Sequence, residues 1–339
     1  MIWGVILVGA VILVLLQLFV PERAMDALEA DRHSESLLCE PDEAFFLQIH
    51  VENRSRRLFP FVSVTQKISF LGGKIIEDSF WLGPRQKRIR QYPLTIHRRG
   101  RYVLDDMKLS SGDYMGLREY SRTCGSYREI VVPPKALSTA RFDVLMGGFL
   151  GDVSINRFIL EDPVLTLGYR EYTGTDPMKR ISWVQSARHN QLMVKKNDFT
   201  VEPSVSVLLN VQTNLEDAEQ TQEACYSLAR TVCQLLERKG VRYSFSSNAQ
   251  LLGYKHSGTG TAGFGQRHFH AILETLGRSI GESAVPLSVF LEKELQRPER
   301  CGRILITPGG SETDTKMLMR LREHGPLLVL KGTEVAQWE

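Results

Sequence analysis

The chain has 339 residues, with 42 Lys and Arg against 39 Asp and Glu, a net charge of +3, and 24% charged and 42% hydrophobic residues. That composition excludes disordered, collagen-like and strongly polyionic classes and leaves room for about two ordinary domains. Five cysteines (Cys39, Cys124, Cys225, Cys233 and Cys301) without CxxC spacing argue against a disulfide framework and suit a reducing compartment.

In chain order, the first element is an apolar run. Ile2 to Val20 carries no charge and one strongly polar side chain, Gln17. A helix of that length approaches the ~30 Å hydrocarbon core, so residues 2–20 are expected to form a transmembrane helix. A cleaved signal peptide is the rival. Nothing basic precedes Ile2, and Val20-Pro21-Glu22-Arg23 lacks a small-x-small cleavage site, so a retained single-pass anchor is preferred. Arg23 and Arg32 on its C-terminal side place the rest of the chain in the cytoplasm by the positive-inside rule. Residues 21–40 are polar and read as a stalk.

Residues 41–135 read as a β-sandwich-like module. Short β-branched and aromatic runs, such as Phe45–Val51 and Phe61–Thr65, end at turn residues including Asn53, Gly72-Gly73, Gly83-Pro84 and Gly112-Asp113. Charge concentrates here. Between Arg54 and Arg101 there are twelve Lys or Arg and two acids, about +10, leaving about −7 for the remainder. Such a segment would be drawn to anionic headgroups, or is simply a solvated face. Nucleic acid is not assigned as a partner, since no recognition motif accompanies the charge.

From 201 to 335 the period changes. Val205–Leu209 suits a buried central strand, and Cys225, Leu228, Ala229, Val232, Leu235 and Leu236 fall on one helical face that closes at Lys239-Gly240. Further strands (241–245, 303–307, 327–330) alternate with helices around 268–276, 287–295 and 313–323. An α/β module with a mostly parallel sheet follows.

Catalytic signals are absent from the reading, and no cofactor is assigned. Gly258-Thr259-Gly260-Thr261-Ala262-Gly263 has the letters of a dinucleotide fingerprint but not its strand–turn–helix context. His268 and His270 point to different sides of a helix, and Cys225 and Cys233 read as core residues. No nucleophile elbow, zinc-binding helix or phosphate loop occurs, so the chain is expected not to be an enzyme. An unrecognised hydrolase would need a reactive group that no pattern supplies.

The segment 136–200 holds the most distinctive stretch: Arg170-Glu171-Tyr172, Asp176, Arg180, Trp183, Ser186-Ala187-Arg188 and Leu192-Met193-Val194-Lys195. It resembles the signature of the domain-of-unknown-function 58 family. Arg99-Gly100-Arg101-Tyr102, Gly112 to Leu117 and Val51-Glu52-Asn53 are similar to other parts of that family's pattern. Thr175 and Ser182 depart from it. The resemblance implies a membrane anchor, a β-sandwich and a von Willebrand factor A-like α/β module, with a MoxR-type AAA+ ATPase and a transglutaminase-like membrane protein as candidate partners. The implied function is a non-catalytic scaffold or adaptor at the cell membrane. A metal-dependent adhesion module is the alternative.

Two sets of residues carry these readings. Arg170, Glu171, Tyr172, Asp176, Arg180, Trp183 and Arg188 mix charge with aromatics and suit bidentate ion pairs. They form either a clamp between modules, the preferred reading, or a partner surface. The resemblance also implies Mg²⁺-binding positions, which here read Asn210, Gln212 and Asn214, with Thr307-Pro308 at a later strand end. These lack the carboxylates Mg²⁺ normally requires, so the site is expected to be degenerate and no metal is assigned.

Overall fold

Alternating burial along the early strands defines how the first part of the chain folds. The structure, a computed structural model, describes all residues except 1, 19–21, 35–37, 113–117, 139–145, 154–165, 175, 198–203, 215, 254–259, 298–300, 310–314 and 336–339. Two units result, Met1–Pro133 and Pro134–Glu339.

In the first unit, β1 (Leu28–Ser34), β2 (Ala44–Asn53) and β5 (Lys87–Thr95) form an antiparallel sheet in the order β1-β2-β5. A second antiparallel sheet runs β4 (Lys74–Leu82), β3 (Phe59–Ile68), β7 (Met107–Gly112) and β8 (Glu119–Cys124). β6 (Gly100–Val103) pairs with β9 (Glu129–Val132). Leu47, Ile49, Val51 and Asn53 alternate as the buried side of β2. Leu28, Ile49 and Val51 of the first sheet share a core with Val62, Val64, Phe80, Leu82, Met107 and Leu109 of the second, so the two sheets pack face to face. Burying each such side chain contributes about 1.5–3 kcal/mol.

Arg32 crosses this core. It lies on the inward side of β1 with none of its surface exposed. Its guanidinium donates to Gln66 Oε1 on β3 (2.9 Å), to the Ser126 carbonyl (2.9 Å) and to the Asp105 carbonyl. Burial lowers its pKa, opposed by Asp106 and Asp31. Gly125, at φ 116°, sits where a Cβ would come within 3.3 Å of the guanidinium carbon, so this turn requires glycine.

The N-terminal run forms α1 (Ile2–Leu18), and positions 19 and 20 of the expected span lie outside the described residues. Its 17 residues reach about 26 Å. No helix among the described residues is long and apolar enough to cross a membrane. This corrects the expected anchor, and with it the membrane as partner, the cell-membrane location and the single-pass orientation. The orientation reading treats Arg32 as a charge flanking the bilayer; the structure makes it a core residue, and the segment 21–40 supplies β1 to a sheet.

The second unit is mixed α/β. β12 (Ser204–Leu209), β13 (Arg242–Ser247), β16 (Gly302–Thr307) and β17 (Leu327–Lys331) form a parallel sheet in the order β13-β12-β16-β17. One face packs on α2 (146–153), α4 (Ala218–Arg238) and α5 (Gln266–Arg278). The other packs on α6 (Leu287–Leu295) and α7 (Thr315–Glu323). Helices on both faces explain why β12 is buried on both sides. A hairpin of β10 (Thr166–Glu171) and β11 (Met193–Asn197) encloses α3 (Trp183–His189). β14 (Ala249–Leu251) pairs with β15 (Ser279–Ser283).

Two stability predictions follow from the first unit. Arg32→Met keeps side-chain length but leaves Gln66 Oε1 and the Ser126 carbonyl without donors. Urea denaturation is expected to show a loss of about 3 kcal/mol or more; a loss under about 1 kcal/mol would refute the structural role. The second concerns His50, whose ring stacks on His33 at 5.1 Å. Burial depresses its pKa, as do Lys87 and His33, against Asp31. The unfolded chain therefore binds this proton more readily than the folded one. Stability associated with neutral His50 is present above about pH 6.5 and is lost as pH falls through the depressed folded pKa. His50→Gln should flatten the pH–stability profile between about pH 7 and 5.

Candidate functional site

The signature residues form a small lobe on the β10–β11 hairpin. Arg170 makes a bidentate pair with Asp176, Nη1 to Oδ2 at 2.7 Å and Nη2 to Oδ1 at 2.5 Å. Asp176 also accepts from the Thr173 amide (3.1 Å) and hydroxyl (2.7 Å). The Arg170 guanidinium, then the Thr173 donors, hold its carboxyl well below the usual carboxylate range. This fork fixes the turn leaving β10.

A second set of bonds closes the lobe. Ser186 Oγ donates to the Ser182 carbonyl and accepts from the Met193 amide, both at 2.8 Å. The Ser182 amide reaches the Met193 carbonyl at 2.8 Å, and Ile181 bridges to Val194. Ile181, Ser182, Ser186 and Val194 are consequently buried. The other side of α3 is left outside. Trp183 is 64% exposed, Val184 66% and Met178 69%, with Tyr169 and Leu192 also exposed. Glu171 and Arg188 are exposed, Tyr172 is half-buried, and Arg180 ends the short 3-10 helix Met178–Arg180. Val184 and Met178 escaped the sequence reading. The available signal was the adjacent apolar pair Trp183-Val184 in a stretch that is otherwise polar or small from Gln185 to Asn190.

The positions read as a degenerate metal site lie at the carboxyl ends of the parallel sheet. In the order β13-β12-β16-β17 the switch point falls between β12 and β16, where open α/β sheets commonly bind ligands. Here it is filled by amides. Asn210 is fully buried; its Nδ2 donates to Thr307 Oγ1 (3.0 Å), and its Oδ1 accepts from the Gln212 amide (3.0 Å) and from Asn248 Nδ2 (2.7 Å). Asn248 Oδ1 accepts from the Val211 amide at 2.9 Å. Gln212 Oε1 is taken by the Leu287 amide at 2.9 Å, while Asn214 is exposed. Among the described residues no group of three or more His, Cys, Asp or Glu could hold a metal ion. The metal-dependent adhesion reading is corrected on this ground: the oxygens at Asn210 and Gln212 are already occupied by protein donors.

Other motifs resolve into packing. Gly263 exchanges backbone hydrogen bonds with Tyr243 (2.9 and 3.0 Å), and a Cβ there would lie 2.6 Å from the His268 ring. Part of the glycine run, 254–259, lies outside the described residues, as do 113–117 and 310–314, where other pieces of the sequence reading fall. His268 Nε2 bonds the Tyr243 carbonyl at 2.9 Å. Burial pushes the Cys225 thiol up to about 12 and raises Cys233 further, so neither is a ready thiolate. Beside Ser206 in register, Arg303 is 1% exposed, and among the described residues its Nε and Nη1 have no hydrogen-bond partner.

No protein-family model matches the chain, and no curated protein matches it. Solved structures give partial likenesses. The CARDB domain of the PF1109 protein from Pyrococcus furiosus, in complex with di-metal ions, is 16% identical at a TM-score of 0.23, covering 31% of this chain and 86% of that one. The C-terminal domain of wzt is 11% identical at a TM-score of 0.24, covering 33% and 75%. These values carry no functional argument. That no family model matches the chain corrects the resemblance to the domain-of-unknown-function 58 family and its von Willebrand factor A-like label. The scaffold or adaptor role and the MoxR-type and transglutaminase-like partners rested on that resemblance and are withdrawn with it.

Arg303 supplies the test of this unit's energetics. An ionised side chain buried without a partner destabilises its surroundings, and apolar replacements of similar volume commonly stabilise. Arg303→Met should therefore raise the melting temperature of the second unit, with a gain of about 1–4 kcal/mol. A drop would show that the guanidinium is satisfied in solution.

Proposed function

We propose that the chain is a non-catalytic recognition protein and that the α3 lobe of the second unit is its protein-binding surface. The observation carrying this reading is the exposure of Trp183 beside Val184 and Met178. An isolated exposed apolar residue needs no explanation, but several on one lobe mark interaction sites. Tryptophan is among the commonest anchors of protein interfaces. Charge on the same lobe adds specificity: Lys179, Arg188 and Lys195 are exposed, with exposed Glu171 as the opposing acid. A partner with an apolar pocket and an acidic rim fits this pattern.

The lobe is also preorganised. The Arg170–Asp176 fork and the Ser186 bonds hold α3 before any partner arrives, which lowers the ordering cost of binding. Support for a non-catalytic role comes from the sheet's switch point, where Asn210, Asn248 and Thr307 bond one another instead of facing a cleft.

Trp183→Ala separates recognition from a clamp. A buried clamp residue would cost about 3–5 kcal/mol on truncation; an exposed anchor should leave the melting curve within about 0.5 kcal/mol of wild type. Site-specific photocrosslinking from position 183 in the native cell should yield a discrete partner. With that partner purified, Trp183→Ala should weaken binding roughly thirtyfold, the effect of losing a hot spot of about 2 kcal/mol. Crosslinking no stronger than from an exposed control position such as Lys293 would overturn the proposal.

A further inference from the structure

One end of the first unit concentrates positive charge around exposed aromatic side chains. The loop from β2 to β3 carries Arg54, Arg56 and Arg57, and the loop from β4 to β5 carries Arg85, with Lys87 opening β5. These loops are clipped together. Asn53 is fully buried, and its Nδ2 donates to the Arg57 and Gly83 carbonyls, both at 2.7 Å. Its Oδ1 accepts from the Ser55 amide (2.9 Å) and hydroxyl (2.7 Å), and the Arg85 amide donates to the Ser55 carbonyl at 2.9 Å. Gln86 Oε1 accepts from the Gly83 amide at 2.8 Å. The cations are thus held on one fixed frame rather than on two independent loops.

Their neighbours matter as much as their number. Arg54 is paired with Glu29. Arg56, Arg85 and Lys87 are exposed, and none reaches a carboxylate within ion-pair distance among the described residues. Glu52 stands opposite Lys87 in register, and Asp26 and Glu119 also lie towards this end, so the positive charge is local rather than general. Beside the loops, Trp81 is 57% exposed, and Phe61 and Leu58 are each about 40% exposed. Phe61 and Trp81 belong to adjacent strands where the β3–β4 register slips, between Phe59 and Val62. Trp81 lies between buried Phe80 and Leu82, and Phe61 precedes buried Val62, so both rings turn to the outer face.

We propose that this end of the first unit binds the backbone of single-stranded nucleic acid. Arg56 and Arg85 meet successive phosphates, while Trp81, with Phe61 beside it, offers a face on which bases stack. Cations tracking a backbone beside aromatic platforms are the shared device of proteins that bind single strands without reading sequence. A duplex fits less well, since Arg56 and Arg85 sit on loops rather than on a helix or ribbon able to enter a groove. An acidic protein segment would use the arginines but leave the aromatic pair without a matching planar group.

The test uses the full-length protein and fluorescence anisotropy with a labelled oligothymidylate, a duplex of equal length and polyglutamate as competitor. Saturable binding to the single strand is expected, stronger than to the duplex, with a log–log salt slope near about −1.4 for two phosphates. Arg56→Gln combined with Arg85→Gln should flatten that slope by about 1.4. Trp81→Ala should weaken binding about tenfold or more while leaving the slope unchanged. Trp183→Ala should bind like wild type, which keeps this site distinct from the protein-binding lobe. Absence of binding at low salt would overturn the proposal. So would binding insensitive to Trp81→Ala and equally displaced by polyglutamate, which would assign the surface to an acidic protein.

Discussion

The first unit is organised around a cation that has no carboxylate within its hydrogen-bonding shell. The Arg32 guanidinium is surrounded by a side-chain amide and backbone carbonyls, which direct its protons without neutralising its charge. A guanidinium suits this position because its five donors point in one plane and can reach several chain segments at once. It thereby ties β1 to β3 and to the connections at 104–106 and 126. Asp105 is not wasted on a direct pair: its carboxylate accepts from the Ser69 amide, which lowers its pKa and anchors the turn after β3. The arrangement is brittle. Losing the donor strands several acceptors together, whereas losing one acceptor leaves the others in place.

The second unit solves a similar problem with neutral groups. Its polar interior at the sheet's switch point is a closed set of amides and a hydroxyl, Asn210, Asn248 and Thr307, joined to backbone amides on either side. On the opposite sheet face, Ser206 is paired with buried Glu294, which Arg297 balances at 3.1 Å. Arg303 alone among these groups is left unsatisfied.

Legibility in the sequence followed how local each signal was. The strand Val205–Leu209 and the helix through Cys225 to Leu236 were readable because burial on one or both faces imposes a period that survives in a single sequence. The N-terminal run misled because hydropathy reports composition, while crossing a bilayer also demands length. Arg32 misled for a different reason. A charge beside an apolar run looks exposed until its partners are known, and those partners lie 34 to 94 residues away. The signature stretch was visible as unusual chemistry, and the Arg170–Asp176 fork could be anticipated. The exposure of Trp183 could not, because it depends on how Ser182 and Ser186 fix α3 against β11.

Both exposed aromatic sites share one construction, and that bears on what each can do. Trp183 is presented by a lobe fixed through Ser182, Ser186 and Asp176, and Trp81 lies beside loops fixed through Asn53. In each case the polar network lies behind the aromatic side chain and does not include it. Removing the ring therefore leaves the network intact, whereas removing the network displaces the ring. A natural substitution at Trp81 or Trp183 can thus alter recognition while sparing stability. One at Asn53 or Ser186 changes both together, because a buried unsatisfied acceptor costs about 1–3 kcal/mol before any partner is considered.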